Sequence, residues 1–180
     1  MKTYIALFRG INVGGNNTLP MKELVAVLEA LGARGIRTYI QSGNAVLDSD
    51  EEDASRLCAR ISSAIQQRRG FAPQVLLLTR EDLARAIQEN PFPEAAADHK
   101  ALHAGFLTAT PAAPDLAALE ALRSASERFV LRGAVFYLHA PDGVGRSKLA
   151  AKAEKLLGVP MTSRNWQTVC KVLELAKGDR

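Results

Sequence analysis

The sequence predicts an α+β protein made of two ferredoxin-like subdomains of the βαββαβ type, packed together. Two observations predict this class. Apolar residues switch repeatedly between the two-residue period of strands and the 3.6-residue period of helices. A segment rich in proline and polar residues, "NPFPEAAADHK", separates two similar halves. We therefore predict a first subdomain over residues 1–80, a helix and proline-containing linker over 81–100, and a second subdomain over 101–180 that ends in a helix.

The first half alternates strands and helices in the order of one such unit. Gly32 is a natural stop for the first helix, and Thr18 is its expected N-cap. Ser42 and Gly43 supply the short turn of a hairpin between the second and third strands. Strand patterns occupy residues 3–8, 36–41, 44–48 and 73–79, and helical patterns occupy 21–31 and about 51–68. The order is βαββαβ.

The second half repeats this geometry in outline. Thr79 and Asp82 resemble a capping box at the start of a helix that ends before the linker. A hairpin then turns near Gly133. The other expected elements are a strand at 101–107 and helices at about 115–123, 147–157 and 166–176. The order is again βαββα.

Composition indicates an ordinary globular protein. The chain is 47% hydrophobic with a mean hydropathy of −0.04, well away from the signature of disorder. We expect no signal peptide and no membrane partner, since no apolar stretch is long enough to span a bilayer. Cys58 and Cys170 lie far apart within helical apolar patterns, which favours buried, reduced thiols and a cytoplasmic location.

Positive charge is concentrated at the two ends of the chain. The net charge is +4 and the isoelectric point is near 9.3. Residues 1–41 carry five Lys or Arg against two acidic residues, and residues 141–180 carry eight against four. Residues 42–100 have an acidic excess and residues 101–140 balance. The basic segments also contain the glycine-rich turns, so the pattern points to an anionic partner.

The opening loop, "LFRGINVGGNN", follows a strand and precedes a helix. Glycines allow a ligand to approach backbone N–H groups, and asparagines add amide donors and tolerate the left-handed region. A strand, a glycine-rich turn and a helix N-terminus in sequence are typical of phosphate sites. Asn16 stands where a P-loop needs lysine, which argues against Walker-type ATP hydrolysis. The composition also fits a loop that only makes a tight turn, and both readings stay open.

Two further predicted helix starts also contain residues that could bind an anion. "GVGRSK" leads into the predicted helix at 147, and it lacks the third glycine of a Rossmann fingerprint. "TSRNW" opens the last helix, with Ser163 or Asn165 as its N-cap. Together with "QSGN" these motifs define the predicted ligand-binding residues, which are Arg9, Gly10, Asn12, Gly14, Gly15, Asn16, Asn17, Gln41, Ser42, Asn44, Arg146, Ser147, Lys148, Ser163, Arg164 and Asn165.

Five motifs in order carry a resemblance to a known family. They are "LFRGINVGGNNTLPMKEL", "RTYIQSGNAV", "NPFP", "YLHAPDGVGRSKL" and "TSRNWQTV". They closely resemble the bacterial family catalogued as domain of unknown function 1697, over essentially the whole chain from Tyr4 to Ala176. The resemblance implies a two-subdomain α+β fold, each part ferredoxin-like in outline. It implies no established activity.

Three functions fit these patterns. The first is a binding module that holds an anionic small molecule, a nucleotide or a nucleic-acid backbone between the subdomains. Aromatic content is only 6%, so nucleic acid would be bound through its phosphates. The second is an enzyme in which Arg146, Lys148 and Arg164 stabilise negative charge on a phosphoryl or acyl group, with no evident general base. The third is a non-catalytic scaffold whose loops bring the two subdomains together.

Metal and histidine chemistry receive little support from the sequence. No His pair has metal-ligand spacing and no Cys-x-x-Cys occurs, so we expect no metal site. His103 alternates with apolar residues in a strand and is expected to be a half-buried core residue. The pattern indicates no particular cofactor or oligomeric state.

Overall fold

The chain forms two compact units, each built around its own sheet. The structure is a computed structural model that describes residues 1–178. One unit comprises Met1–Arg85 together with the chain from Cys170 onward, and the other comprises Ala86–Val169. Each contains a four-stranded antiparallel sheet. The described residues form eight strands and six α-helices, which confirms the α+β class.

The first unit places an apolar strand at the centre of its sheet. Its elements are β1 (Lys2–Arg9), α1 (Met21–Ala30), β2 (Arg34–Tyr39), β3 (Asn44–Ser49), α2 (Ala54–Arg69) and β4 (Gln74–Thr79). The strand order is β2-β3-β1-β4. Tyr4, Ala6 and Phe8 of β1 belong to the core that also contains Leu24 of α1 and Ile61 of α2. This burial of one face of β1 under both helices stabilises the unit, at about 25 cal/mol for each Å² of apolar surface.

Helix α1 begins at Met21, as the pattern predicts, but the expected N-cap is wrong. Pro20 is the N-cap, no side chain caps the helix, and the Pro20 carbonyl accepts the N–H of Leu24. A residue before proline is disfavoured in the helical region, so Leu19 cannot extend the helix backwards. The carbonyl of Thr18 instead accepts hydrogen bonds of 2.7 and 3.0 Å from Arg69.

Helix α2 has an aspartate as its N-cap and a glycine as its C-cap. The carboxylate of Asp53 accepts the N–H groups of Ser55 and Arg56 at 2.9 and 3.1 Å. This cap starts the helix at Ala54, three residues after the expected start. Gly70, with φ 81°, ends it in the left-handed conformation.

The second unit has the same order of elements. Its elements are β5 (Leu102–Leu107), α4 (Leu116–Leu122), β6 (Arg128–Arg132), β7 (Val135–His139), α5 (Lys148–Leu157) and β8 (Met161–Asn165). Two more helices, α3 (Arg80–Gln88) and α6 (Trp166–Lys177), have residues in both units. The strand order is β6-β7-β5-β8. Leu119, Phe136, Leu149 and Leu157 lie in its core. The hydroxyl and carboxylate of Thr79 and Asp82 bond reciprocally to the backbone at the start of α3, which confirms the capping box.

Strand β8 was missed by the sequence interpretation, which placed 163–165 at a helix start without a preceding strand. "MTSRN" is polar and shows no apolar alternation, so pattern alone does not indicate a strand. Pairing produces it, because Met161 lies opposite Leu107 and Ser163 opposite Gly105 in an antiparallel ladder with β5. The second unit therefore also follows the order βαββαβ.

The proline-containing segment packs on the second unit's sheet. Phe92 is 6% exposed, and the Arg128 guanidinium lies 4.6 Å from the centre of its ring. Arg128 also donates a 2.6 Å hydrogen bond to Glu94. The guanidinium holds the pKa of the Glu94 carboxyl below its ordinary value. These contacts anchor the segment to β6.

The two cysteines agree only partly with the expectation that they are buried. Cys58 and Cys170 are free thiols, but both are half-buried rather than buried, and burial raises the pKa of each. Trp166 is 4% exposed and is therefore a packing residue. Within residues 1–178, no helix combines the length and the apolar character needed to cross a membrane.

Candidate functional site

The opening loop folds as a tight hairpin. The N–H of Asn16 donates to the carbonyl of Val13 at 3.1 Å, and the N–H of Asn12 donates to the carbonyl of Asn17 at 3.2 Å. Gly14 and Gly15, between them, have φ angles of 59° and 76°. Two consecutive positive φ angles in a two-residue turn are the requirement of the type I′ hairpin, which explains both glycines. Residues 13–18 are all exposed.

Two asparagine side chains of the loop form hydrogen bonds with backbone groups of the protein itself. Asn12 Nδ2 donates to the carbonyls of Leu19 and Gln41, each at 2.8 Å, and its Oδ1 accepts the N–H of Leu19 at 2.7 Å. Asn17 Nδ2 donates to the carbonyl of Gly10 at 3.0 Å. Both asparagines adopt positive φ angles, of 54° and 50°. These bonds close the loop and tie it to the turn after β2.

The "QSGN" turn is tightly packed against β1. The N–H of Phe8 donates to the carbonyl of Gly43 at 2.8 Å. A Cβ at Gly43 would lie 2.7 Å from Phe8 Cβ and 2.8 Å from Ile11 Cδ1. Asn44 is fully buried and donates to the carbonyl of Tyr39 and to the hydroxyl of Ser42. The turn and the hairpin therefore form one structure, joined by Asn12, although they are 29 residues apart.

Ile40, just before this turn, is a residue that the sequence did not indicate. It is 51% exposed and has a φ of 49°. The left-handed region is rare for β-branched residues and costs of the order of 1–3 kcal/mol. Nothing in the residue type signals this conformation, because propensity opposes it. Nearby, Arg9 is exposed and donates to the side chain of Gln74 at 3.2 Å.

The second motif opens helix α5 as predicted. Ser147 is the N-cap, and its hydroxyl accepts the N–H of Ala150 at 2.9 Å. A short 3₁₀ turn at Val144–Arg146 leads into it. Arg146 and Lys148 are exposed on either side of Ser147, which is itself only 7% exposed. In the ranges that the structure describes, neither cation takes part in an ion pair.

A cavity of about 320 Å³ opens beside this helix start. It is lined by Leu122, Ser124, Glu127, Asp142, Gly143, Arg146, Ser147 and Lys148. Its two acids are both hydrogen-bonded within the unit. Glu127, 5% exposed, accepts the N–H of Ser124 at 2.9 Å, and Asp142 accepts the hydroxyl of Ser126 at 2.5 Å. The lining thus combines two solvent-facing cations with two engaged carboxylates.

The third motif divides between β8 and α6. Asn165 Oδ1 accepts the N–H of Thr168 at 2.9 Å, so Asn165 is the cap and Ser163 is not. Arg164 donates to the carbonyl of Ser163 at 2.9 Å, and burial lowers the pKa of its guanidinium to about 10. The group therefore stays cationic at neutral pH.

Ser163 instead lies on the sheet near His103. Both line a small cavity of about 30 Å³, to which Val144 of the "GVGRSK" motif and Ala150 of α5 also contribute. Burial lowers the pKa of His103, and its Nδ1 is buried without a hydrogen-bond partner among the described residues. His103 is half-buried, as expected, and neutral at pH 7.

Within the described residues, the structure groups the predicted ligand-binding residues by unit. The hairpin and the "QSGN" turn meet in the first unit. In the second unit, Arg146, Ser147 and Lys148 line the 320 Å³ cavity, whereas Ser163 lines the separate small cavity beside His103. Residues 1–178 contain no group of three or more His, Cys, Asp or Glu arranged to hold a metal ion.

The comparisons with known proteins agree with this architecture. A family model described as "Protein of unknown function (DUF1697)" matches residues 1–137 of the 180. The chain belongs to this family. The match contains the opening hairpin, the "QSGN" turn and the "NPFP" segment, and it ends within β7. No curated protein matches the chain.

A solved structure extends the likeness beyond the family match. The chain is similar to the conserved bacterial protein SP0830 from Streptococcus pneumoniae, with 26% sequence identity and a TM-score of 0.71. The similarity covers 97% of this chain and 98% of that one, so it includes α5, β8 and α6. Neither the description of the family nor that of this relative, a conserved bacterial protein, states an activity.

Proposed function

We propose that this protein binds a phosphate-bearing or other anionic ligand at the start of α5, through Arg146, Ser147 and Lys148. One observation carries the proposal. Two exposed cations without an ion pair among the described residues flank a helix N-cap in the lining of a 320 Å³ cavity. Backbone N–H groups of a helix start and adjacent cations favour the same kind of ligand, an anion.

The energetics of the helix support this choice. Lys148 is the first residue of α5, and the first turn contains no acidic residue. The N-terminus of a helix carries a partial positive charge, so a cation there costs about 0.3–1 kcal/mol where an acid would contribute that much. Packing does not compensate for this cost, because the Lys148 side chain is exposed. A bound anion would offset it.

The two acids indicate which anions fit best. Asp142 is exposed and already accepts a hydroxyl hydrogen bond from Ser126. A ligand with hydroxyl groups beside its phosphate would donate to this carboxylate while its phosphate binds the cations. Phosphosugars and nucleotides therefore suit the cavity better than polyphosphates, which the carboxylates would repel.

Three further assignments accompany this proposal: the fold type of each unit, the location of the protein and the roles of the other predicted ligand-binding residues. We infer that each unit is ferredoxin-like, supported by the βαββαβ order and by equivalent strand orders in the two sheets. A cytoplasmic location is supported by the two free thiols. The ligand-binding roles of Arg9, the opening hairpin, the "QSGN" turn and the "SRN" residues stay predictions.

A thermal-shift titration tests the proposal. The purified protein is titrated with inorganic phosphate, ribose 5-phosphate, AMP and ATP, beside the variant Arg146→Ala/Lys148→Ala. A ligand at 100 times its Kd stabilises the protein by about 2.7 kcal/mol, and we expect this shift to disappear in the variant. The matched control is Lys22→Ala/Lys100→Ala, which removes two exposed lysines elsewhere in the chain.

The outcomes distinguish the proposed site from an anion site elsewhere and from a scaffold. Saturable shifts in the wild type and the control, lost in the variant, would support the site. Shifts of equal size in all three proteins would place the anion elsewhere and refute the assignment of Arg146 and Lys148. No shift with any compound, in a folded sample, would favour a scaffold.

A further inference from the structure

Helix α5 presents a row of lysines to solvent. Lys148, Lys152 and Lys155 are all exposed, and their spacing of four and three residues places them on one face of the helix. With a rise of 1.5 Å per residue, the row extends over about 10 Å of the helix axis. Arg146 lies immediately before its first member.

Most of this row is unfavourable for the isolated helix, since only Lys155, in the last turn, complements the macrodipole. Like charges at i,i+3 and i,i+4 spacing repel, and a cation at the helix N-terminus opposes the macrodipole. Helices α3 and α6 and the end of α4 each pair a cation with an acid three residues away, as in Lys171 with Glu174 at 2.7 Å. None of the three lysines of α5 takes part in an ion pair with the part of the chain that the structure describes.

We propose that Arg146 and the lysine face of α5, defined as Lys148, Lys152 and Lys155, bind the phosphodiester backbone of a nucleic-acid strand. The inference rests on the proposed function, since Arg146 and Lys148 are common to both. A strand stacked as in a duplex carries one charge per about 3.4 Å of axis, so the 10 Å row faces about three successive phosphates of such a strand. A single small anion would use only the first part of this row.

The aromatic residues indicate that the backbone, rather than the bases, is bound. Trp166 and Tyr137, the Trp and the Tyr of the unit that contains α5, are 4% and 0% exposed, and Phe129 packs against the hydrophobic core. None of these rings offers a stacking surface for a base. Contacts made by Lys and Arg to phosphates carry no direct sequence information. We therefore expect binding with little sequence preference and strong dependence on salt.

The salt dependence gives a quantitative test. The full-length protein is titrated into a fluorescently labelled 30-nucleotide single strand, with anisotropy measured between 50 and 200 mM KCl. Four phosphate contacts give a slope of log K against log salt of about −2.8, equivalent to a loss of about 50-fold in affinity over this range. The variant Lys152→Ala/Lys155→Ala should reduce the slope to about −1.4 and the loss to about 7-fold.

Controls separate this inference from the small-anion site. Lys152 and Lys155 lie outside the lining of the 320 Å³ cavity, so their variant should keep the thermal shift caused by ribose 5-phosphate or AMP. Lys22→Ala/Lys100→Ala has the same net charge and should keep the wild-type slope. Circular dichroism of each variant confirms that it is folded.

The results decide as follows. A slope reduced only by substitutions on α5 supports the inference, whether or not small anions shift the melting temperature. An unchanged slope in Lys152→Ala/Lys155→Ala refutes it, even where the Arg146 and Lys148 site holds a small anion. Binding to vesicles of anionic lipid with no affinity for the oligonucleotide also refutes it.

Discussion

Gly43 offers a sharp test of how the "QSGN" turn is held. Replacing it with alanine introduces a Cβ at 2.7 Å from Phe8 Cβ and 2.8 Å from Ile11 Cδ1, in a residue with φ 86°. The left-handed conformation costs an L-residue about 1–2 kcal/mol, and overpacking a buried site adds about 1–3 kcal/mol. We therefore expect Gly43→Ala to destabilise the protein by about 2–5 kcal/mol.

Gly15 provides the matched control. Its φ is 76°, similar to that of Gly43, but nothing lies within 4 Å of the position of an added Cβ. Gly15→Ala should therefore show the backbone cost of about 1–2 kcal/mol alone. Urea denaturation, followed by circular dichroism, gives the change in the free energy of unfolding for both variants. Equal losses would refute the reasoning, since they would show that Phe8 and Ile11 do not crowd the turn.

Two other predictions concern the loop and the buried histidine. Asn12→Ala removes three hydrogen bonds, each worth about 0.5–1.5 kcal/mol, so amide exchange across residues 12–17 should accelerate. Asn16→Ala, which removes an exposed side chain, should leave exchange unchanged, and equal acceleration would contradict the assignment. Burial lowers the pKa of His103, so the unfolded chain binds its proton first as pH falls. Stability should then be full above about pH 6.5 and decline below it, by up to about 1.4 kcal/mol per pH unit, and His103→Gln should flatten that decline in urea titrations.

Much of the fold could be predicted because local signals agreed with tertiary structure. The continuous apolar run of β1, the Thr79 capping box and the Ser147 N-cap each specify an element without help from distant residues. Strand β8 could not be predicted in this way, because its pairing with β5 produces it and its polar residues carry no strand pattern. The N-cap of α1 could not be predicted for a related reason, since Pro20 is the N-cap and the Thr18 carbonyl instead binds Arg69.

The candidate site shows the same limit at the level of side chains. Glycine and asparagine could be recognised in the opening loop, but their bonding partners could not, since the Gln41 carbonyl that Asn12 binds lies 29 residues away. The lysine row of α5 was visible as a basic segment only. Its significance depends on exposure and on the lack of ion pairs with described residues, and a sequence specifies neither.

A polar side chain whose hydrogen-bonding groups already bind other parts of the protein shapes a loop. A side chain whose charged group has no such partner is available to bind a ligand. Asn12 has the composition of a ligand-binding residue, yet both amide donors and the carbonyl oxygen already have partners, so binding a ligand would require breaking them. Lys152 and Lys155 differ in this respect. Their ammonium groups form no ion pair with the described residues, and their position adds repulsion to the helix. The fold gains little internally from such a row, since only Lys155, in the last turn of α5, complements the helix dipole, which is why we look for the ligand at α5 before the opening loop.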